Sequence, residues 1–119
     1  MDKLELFDAE KRFLAILWAR EPVKSTELAR ICQETLGWKK PTTFNMIRKL
    51  ADKHLLKNEN ATVTALISRG DLQRQESEAL LQQSFQGSVP AFLAAFLEGR
   101  RLKPDELEAL KRLIEEAES

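Results

Sequence analysis

Residues 38–50, WKKPTTFNMIRKL, combine basic, hydroxyl and amide side chains with a helical apolar pattern. Pro41 suits the first turn of a helix, and at about 100° per residue the apolar positions fall on one side. This inner stripe consists of Thr43, Met46, Ile47 and Leu50. The other side has the composition that contacts phosphates and base edges in a DNA groove. We predict DNA contacts from Lys39, Lys40, Thr42, Phe44, Asn45, Arg48, Lys49 and Lys53.

Each of these side-chain types has a distinct task in a groove. Asn45 can pair with adenine through two hydrogen bonds, and Arg48 can reach a guanine or a phosphate. Thr42, together with the helix N-terminus, suits a phosphate, while the lysines add attraction that is independent of base sequence. Phe44 suits either a thymine methyl group or a neighbouring helix. The competing interpretation is that these charges only solvate an exposed helix, so the surrounding elements have to be considered.

The charges are unevenly distributed along a chain whose formal net charge is zero. Residues 1–58 hold 12 Lys or Arg and 8 Asp or Glu, whereas residues 59–119 hold 7 and 11. The basic first half favours an anion-binding part that is joined to a different, acidic part.

Cysteine and histidine each occur once, as Cys32 and His54, which excludes an intrachain disulfide and favours a reducing compartment. The sequence has no ligand cluster with metal-site spacing, no Gly-rich phosphate loop and no evident nucleophile with its base. We therefore expect no enzymatic activity, no metal and no cofactor. The segment MDKLELF lacks a long apolar run, so we expect neither a signal peptide nor a membrane span and predict a cytoplasmic protein.

The elements before and after the basic helix follow from caps and periodicity. Asp8 and Ser25 are predicted N-caps of two earlier helices, and Gly37 is predicted to end the second. The third helix should end near Lys53–His54. Residues 61–67, ATVTALI, alternate and are rich in β-branched residues, so with the preceding LLKNEN they predict a short hairpin. Three helices followed by a hairpin is the order of a winged helix-turn-helix.

Three more helices are predicted after the hairpin. Ser68, Ser88 and Pro104 mark their starts, and their apolar positions recur at helical spacing. Short amphipathic helices build little core alone, so we predict a homodimer in which a second copy covers them. The alternative is that they fold back on their own chain. The predicted interface residues are Leu72, Leu80, Phe85, Val89, Phe92, Leu93, Phe96, Leu97, Leu107, Leu110 and Ile114.

The predicted fold class is mainly α. Residues 1–67 are predicted to form the winged helix-turn-helix DNA-binding domain, with its three helices and short β-hairpin. Residues 68–119 are predicted to form a helical dimerisation domain.

Five segments, in their order and spacing, resemble the penicillinase-repressor family of bacterial winged-helix repressors. They are AEKRFLAILW (9–18), STELARI (25–31), GWKKPTTFNMIRKLADKHLL (37–56), ISRGDLQRQES (67–77) and FQGSVPAFLAAFLE (85–98). The resemblance implies a homodimeric repressor that binds a dyad operator in double-stranded DNA, often with TACA/TGTA half-sites. It also implies that a membrane metalloprotease sensor relieves repression in several members by cutting the dimerisation helices, at a position that corresponds here to Ala95–Phe96.

The chain departs from the family pattern at three places. NENATVTAL stands where the family has a longer wing with a Gly-Arg tip, and His54 replaces a Gly after the third helix. The segment LIEEAES lacks the cysteine cluster of the copper-responsive branch, so we expect no copper sensing.

Two other functions fit the same residues. The shortened wing favours a winged-helix protein-interaction module without DNA binding, although the basic face of residues 39–57 opposes it. A winged-helix repressor that responds directly to a small ligand would need a pocket, which the sequence cannot reveal.

Overall fold

The computed structural model describes residues 6–118, and the fold in this range is mainly α with one small sheet. The helices are α1 (Asp8–Arg20), α2 (Ser25–Leu36), α3 (Lys40–Asp52), α4 (Arg69–Phe85), α5 (Val89–Leu97) and α6 (Pro104–Glu116). The strands are β1 (Val23–Lys24), β2 (Leu56–Glu59) and β3 (Thr62–Ala65). This order confirms the predicted fold class, a winged helix followed by further helices.

The start of α1 differs from the prediction by one residue. The N-cap is Phe7, not Asp8, and the Phe7 N–H donates to Glu10 Oε1 at 2.8 Å. Asp8 therefore occupies the first helical position, where its negative charge still favours the positive end of the helix dipole. The helix ends at Arg20, and Glu21 is extended, as the following proline requires.

The helix-turn-helix consists of α2, α3 and the tight turn between them. Gly37 ends α2 with φ +72°, a left-handed conformation in which glycine avoids the steric cost of a Cβ, so the predicted stop is confirmed. Pro41 lies in the first turn of α3 and Lys53 follows its last residue, also as predicted. The predicted cap Ser25 is instead the first residue of α2, and its N–H donates to the carbonyl of Ala61 at 2.8 Å.

The wing is a three-stranded antiparallel sheet with strand order β1-β3-β2. Glu59 pairs with Thr62, so the hairpin loop has two residues, Asn60 and Ala61. Both have positive φ, +52° and +62°, which is the requirement of a type I′ turn. The predicted hairpin is confirmed.

The core of the winged helix joins α1, α2, α3, the sheet and the start of α4. Its buried apolar residues are Phe13, Leu14, Leu17, Val23, Leu28, Cys32, Ile47, Leu50, Leu55, Leu56, Val63, Ile67 and Leu72. Burial raises the pKa of the Cys32 thiol, and the nearby Thr43 hydroxyl acts in the opposite direction. Cys32 is therefore a core residue, as its position on an apolar stripe predicts.

His54 shows how the chain leaves α3. Its φ is +62°, its N–H donates to the carbonyl of Ala51, and the Leu55 N–H donates to the carbonyl of Leu50. This pair of bonds is the Schellman motif, in which glycine is the usual left-handed residue. The histidine thus keeps the backbone conformation that the family glycine would adopt.

We predict that His54→Gly stabilises the protein by about 0.5–1 kcal/mol. Glycine adopts the left-handed conformation without the steric cost of a Cβ, and its greater freedom in the unfolded chain cancels only part of this gain. Urea denaturation measures the change. The control is Gln33→Gly, at an exposed position within α2, which should cost about 0.5–1 kcal/mol. A destabilising His54→Gly would mean that the imidazole makes a contact that outweighs the strain.

The chain divides into two compact units between Ala79 and Leu80, within α4. In the first unit, Arg69 lies over the Trp18 ring at 4.8 Å and Glu76 forms an ion pair with Lys11. Leu72 is only 5% exposed. The first two turns of α4 therefore belong to the packing of the winged helix.

The second unit has no comparable core. None of the residues 80–118 is buried. Its aromatic residues contact one another, with ring centroids 5.4 Å apart for Phe85 and Phe92 and 5.7 Å apart for Phe92 and Phe96. The predicted cap of α5 is confirmed, because Ser88 Oγ accepts the Ala91 N–H at 3.1 Å.

Candidate nucleic-acid interface

The orientation of α3 is fixed by its buried side. Thr43 and Leu50 are fully buried and Ile47 is 3% exposed, as the inner stripe predicts. Since these three residues lie along one side of the helix, the opposite side is turned towards solvent over its whole length. The sequence of α3 thus sets both its packing and its exposed face.

The structure places the predicted DNA contacts of this face on the surface. Phe44, the least polar of them, is 37% exposed, so it is not a core residue. The exposed members are Lys39, Lys40, Thr42, Phe44, Asn45, Arg48, Lys49 and Lys53. They extend from the residue before α3 to the residue after it.

Lys39, Lys40 and Arg48 form no ion pair with any residue between 6 and 118. The first turn of α3 also contains no acidic residue. The start of α3 therefore combines lysine charge with the positive end of a helix dipole, an arrangement that attracts anions.

Lys49 and Lys53 differ from the other basic residues because both contact a carboxylate on α1. Lys53 Nζ donates to Glu10 Oε2 at 3.0 Å, and Lys49 Nζ lies 3.6 Å from the same oxygen. Lys49 Nζ is also 5.5 Å from the centroid of the Phe7 ring. The structure thus gives these two lysines a partner within the protein that the assignment to DNA did not foresee.

Glu10 is 1% exposed and charged. Burial by itself would raise its pKa, but the Phe7 N–H, Lys53 and Lys49 more than offset burial, so the pKa of Glu10 lies below its ordinary value. The sequence contains a signal that Glu10 is a buried, paired carboxylate, because Glu10 falls on the inner stripe of α1 with Phe13, Leu14 and Leu17. An acid at such a position requires a cationic partner in the core.

The wing carries little positive charge. Lys57 on β2 lies 3.7 Å from Glu59 on the same strand, and both side chains are exposed. Asn58 and Asn60 complete an exposed, largely neutral tip. The wing therefore lacks the basic character of the α3 face.

The predicted interface residues fall into two groups. Leu72 lies in the core of the first unit and is 5% exposed, so it offers little surface to a second copy. The other ten lie in the second unit, and all keep exposed surface. They include Leu80 at 49%, Val89 at 52%, Phe96 at 48%, Leu107 at 41% and Ile114 at 53% exposed.

No group of three or more His, Cys, Asp or Glu side chains within residues 6–118 could hold a metal ion. No helix in the same range is both long enough and apolar enough to cross a membrane.

Comparison with known proteins agrees with this geometry. The sequence profile of the penicillinase repressor family matches residues 6–116, which include both units. The penicillinase repressor of Bacillus licheniformis is 22% identical over 116 residues, covering 94% of this chain and 91% of the relative. The match extends across the helix-turn-helix, the wing and the half-exposed helices that follow. The chain belongs to the penicillinase repressor family.

Proposed function

We propose that the protein is a DNA-binding transcriptional repressor that acts as a homodimer on a dyad operator. The observation that carries the proposal is the exposed face of α3, a polar and basic surface on the second helix of a helix-turn-helix. In that fold the second helix enters the major groove and its N-terminal residues reach the base edges. Membership in a repressor family supports the same conclusion.

The proposed contacts are of two kinds, contacts with base edges and contacts with the phosphate backbone. Asn45 and Arg48 are exposed on one side of α3, three residues apart, so both can face the same base pairs. Thr42 and the start of α3 suit a phosphate, and Lys39 and Lys40 supply attraction without sequence preference. Phe44 adds an apolar surface of the kind that contacts a thymine methyl group.

The second unit supports the homodimer. No residue between 80 and 118 is fully buried, so apolar burial within this unit contributes little stability, and its half-exposed residues form the type of surface that a partner covers. A second copy is the partner we propose, because a two-fold dimer presents two identical α3 helices to the two halves of a dyad. The operator then mirrors the symmetry of the protein.

Cleavage within this unit is the proposed route for relief of repression. The bond that the family resemblance implicates, Ala95–Phe96, lies inside α5. Arg100 lies over the Phe96 ring at 4.2 Å and donates from Nε to the Phe96 carbonyl at 2.8 Å. A protease would therefore have to unwind this turn of α5, and the cut would separate α6 from the rest of the unit.

The neutral wing favours the second candidate, a protein-interaction module without DNA binding. Such a module would leave the α3 face without a ligand. A third candidate, a repressor controlled by a small ligand, predicts a melting temperature that rises with ligand concentration. DNA binding by the wild-type protein separates the first candidate from the second.

We predict that Asn45→Ala lowers the preference for operator DNA over scrambled DNA by about 5- to 100-fold, because a lost bidentate base contact costs about 1–3 kcal/mol. Fluorescence anisotropy measures this ratio at two salt concentrations. One duplex carries the DNA upstream of the gene that encodes the protein, and the other is a scrambled duplex.

The matched control is Lys40→Ala, which should weaken binding to both duplexes equally and reduce the salt slope by about 1. An Asn45→Ala variant with the wild-type ratio would remove Asn45 from the base contacts. A wild-type protein that binds neither duplex at low salt would reject DNA binding and favour the interaction module.

A further inference from the structure

One charged group inside the first unit has no part in the proposed contacts, yet it touches the helix that makes them. Glu10 on α1 is buried, and a single oxygen of its carboxylate contacts both Lys49 in the last turn of α3 and Lys53, the C-cap that follows it. The other oxygen accepts the Phe7 N–H. Both carboxylate oxygens are thus engaged, and the two lysines lie at the C-terminal end of the helix that carries the proposed DNA contacts.

We infer that Glu10 is a positioning residue for operator recognition, and this inference rests on the proposed function. It ties the last turns of α3 to α1 and holds Lys53 away from the DNA backbone. Glu10 itself would touch no DNA. It would affect base recognition indirectly, because it fixes the orientation of α3 and neutralises one positive charge.

The first part of the effect is geometric. Lys49 and Lys53 are one helical turn apart, so a shared carboxylate restrains the rotation of α3 about its axis as well as its distance from α1. At the outer radius of a helix, about 5–6 Å, a rotation of 10° moves a side chain by about 1 Å. Specific contacts tolerate errors of only about 0.5 Å, so a loosened α3 would lose base discrimination first.

The second part is electrostatic. Two ammonium groups and one carboxylate leave a single net positive charge where two independent lysines would present two. Lys53 has 34% of its side chain exposed and makes the 3.0 Å hydrogen bond, whereas Lys49 is 48% exposed at the longer distance of 3.6 Å. Lys49 is thus the member of the pair that can still reach a phosphate, and Lys53 is held back.

Glu10→Gln tests both parts at once. It keeps an acceptor for the Phe7 N–H but frees both lysines, so binding to scrambled DNA should become about 3- to 10-fold tighter and its salt slope steeper by about 1. The ratio of operator to scrambled affinity should fall by at least about 10-fold, since discrimination depends on the aligned helix. The control is Glu34→Gln, which removes an exposed partner of Arg30 on α2 and should leave the ratio within about twofold.

Lys53→Met provides a second variant that keeps the aliphatic stem. If Lys53 is held away from DNA, this variant lowers the operator preference but leaves the salt slope for scrambled DNA unchanged. If Lys53 contacted a phosphate instead, Lys53→Met would lower the salt slope for scrambled DNA by about 1, the change expected for Lys40→Ala. Lys53→Arg retains the charge and should keep the wild-type ratio.

The outcomes separate the inference from the function on which it rests. A wild-type protein without operator preference would reject the proposed function. A wild-type protein that prefers the operator, together with Glu10→Gln or Lys53→Met variants of unchanged ratio, would overturn the positioning role. A Lys53→Met variant with a reduced salt slope would overturn the claim that Lys53 is held back.

Discussion

Phe96→Asp is expected to convert the proposed dimer to a monomer and to weaken operator binding by about 100-fold or more. Phe96 is 48% exposed and stacks on Phe92 in a unit that buries none of its own residues between 80 and 118. An aspartate in a covered apolar interface would lose its hydration without a compensating partner. The loss of linked binding to two half-sites accounts for the size of the DNA effect.

Sedimentation velocity measures the first part of this expectation and anisotropy with the dyad duplex the second. The control is Arg112→Gln, which changes the net charge by the same amount. Arg112 is exposed, and helical spacing places it on the side of α6 opposite to Leu107 and Ile114. A Phe96→Asp protein that still sediments as a dimer would remove α5 from the interface.

Glu10→Ala is expected to lower the free energy of unfolding by about 2–3 kcal/mol. The change leaves the Phe7 N–H without its acceptor and Lys53 without its hydrogen-bonded partner, and removing one member of a buried ion pair costs about 3–5 kcal/mol. The expected value is lower because both lysines retain access to water. Urea denaturation at neutral pH gives the value, and the exposed Glu34→Ala should lie within about 0.5 kcal/mol of wild type.

The same contact makes stability depend on pH in a defined direction. Burial opposes ionisation of Glu10, but the Phe7 N–H and the two lysines prevail, so its pKa in the folded state lies below the ordinary value of 4.5. The stabilisation is therefore fully present above that value and is lost as the pH falls through the folded-state pKa. The difference in free energy of unfolding between wild type and Glu10→Gln should be constant at neutral pH and should shrink as the pH falls below 4.5. A difference that stays constant with pH would mean that the carboxylate contributes no charge interaction.

Local signals predicted the helix-turn-helix well. Gly37 and Pro41 lie at the end of α2 and the start of α3 as expected, because both residues act through their own backbone conformation. The inner stripe of α3 was equally readable, since burial of one helix face follows from periodicity. The same local signals predicted the hairpin of the wing and the order of the later helices.

Contacts between residues that are distant in the sequence explain what local signals could not predict. The N–H of Ser25 has its acceptor at Ala61, on the hairpin, so a local capping pattern could not locate the start of α2. Leu72 and Leu80 both lie on α4, but only Leu72 is buried in the first unit, and periodicity alone does not reveal which core a position enters. The contact between Lys53 and Glu10 was not predictable either, because a helical wheel ignores the reach of a long side chain to a neighbouring helix.

The buried thiol of Cys32 allows the opening of the winged-helix unit to be measured by its reaction with a thiol reagent. Its side chain is fully buried and its pKa is raised, so a thiol reagent reacts only with molecules whose core has opened. Because the sequence contains no other cysteine, the labelling rate of the unmodified protein reports that opening directly. Operator DNA that binds only the closed form would slow the labelling, which turns one inert core residue into a readout of how tightly recognition and folding are linked.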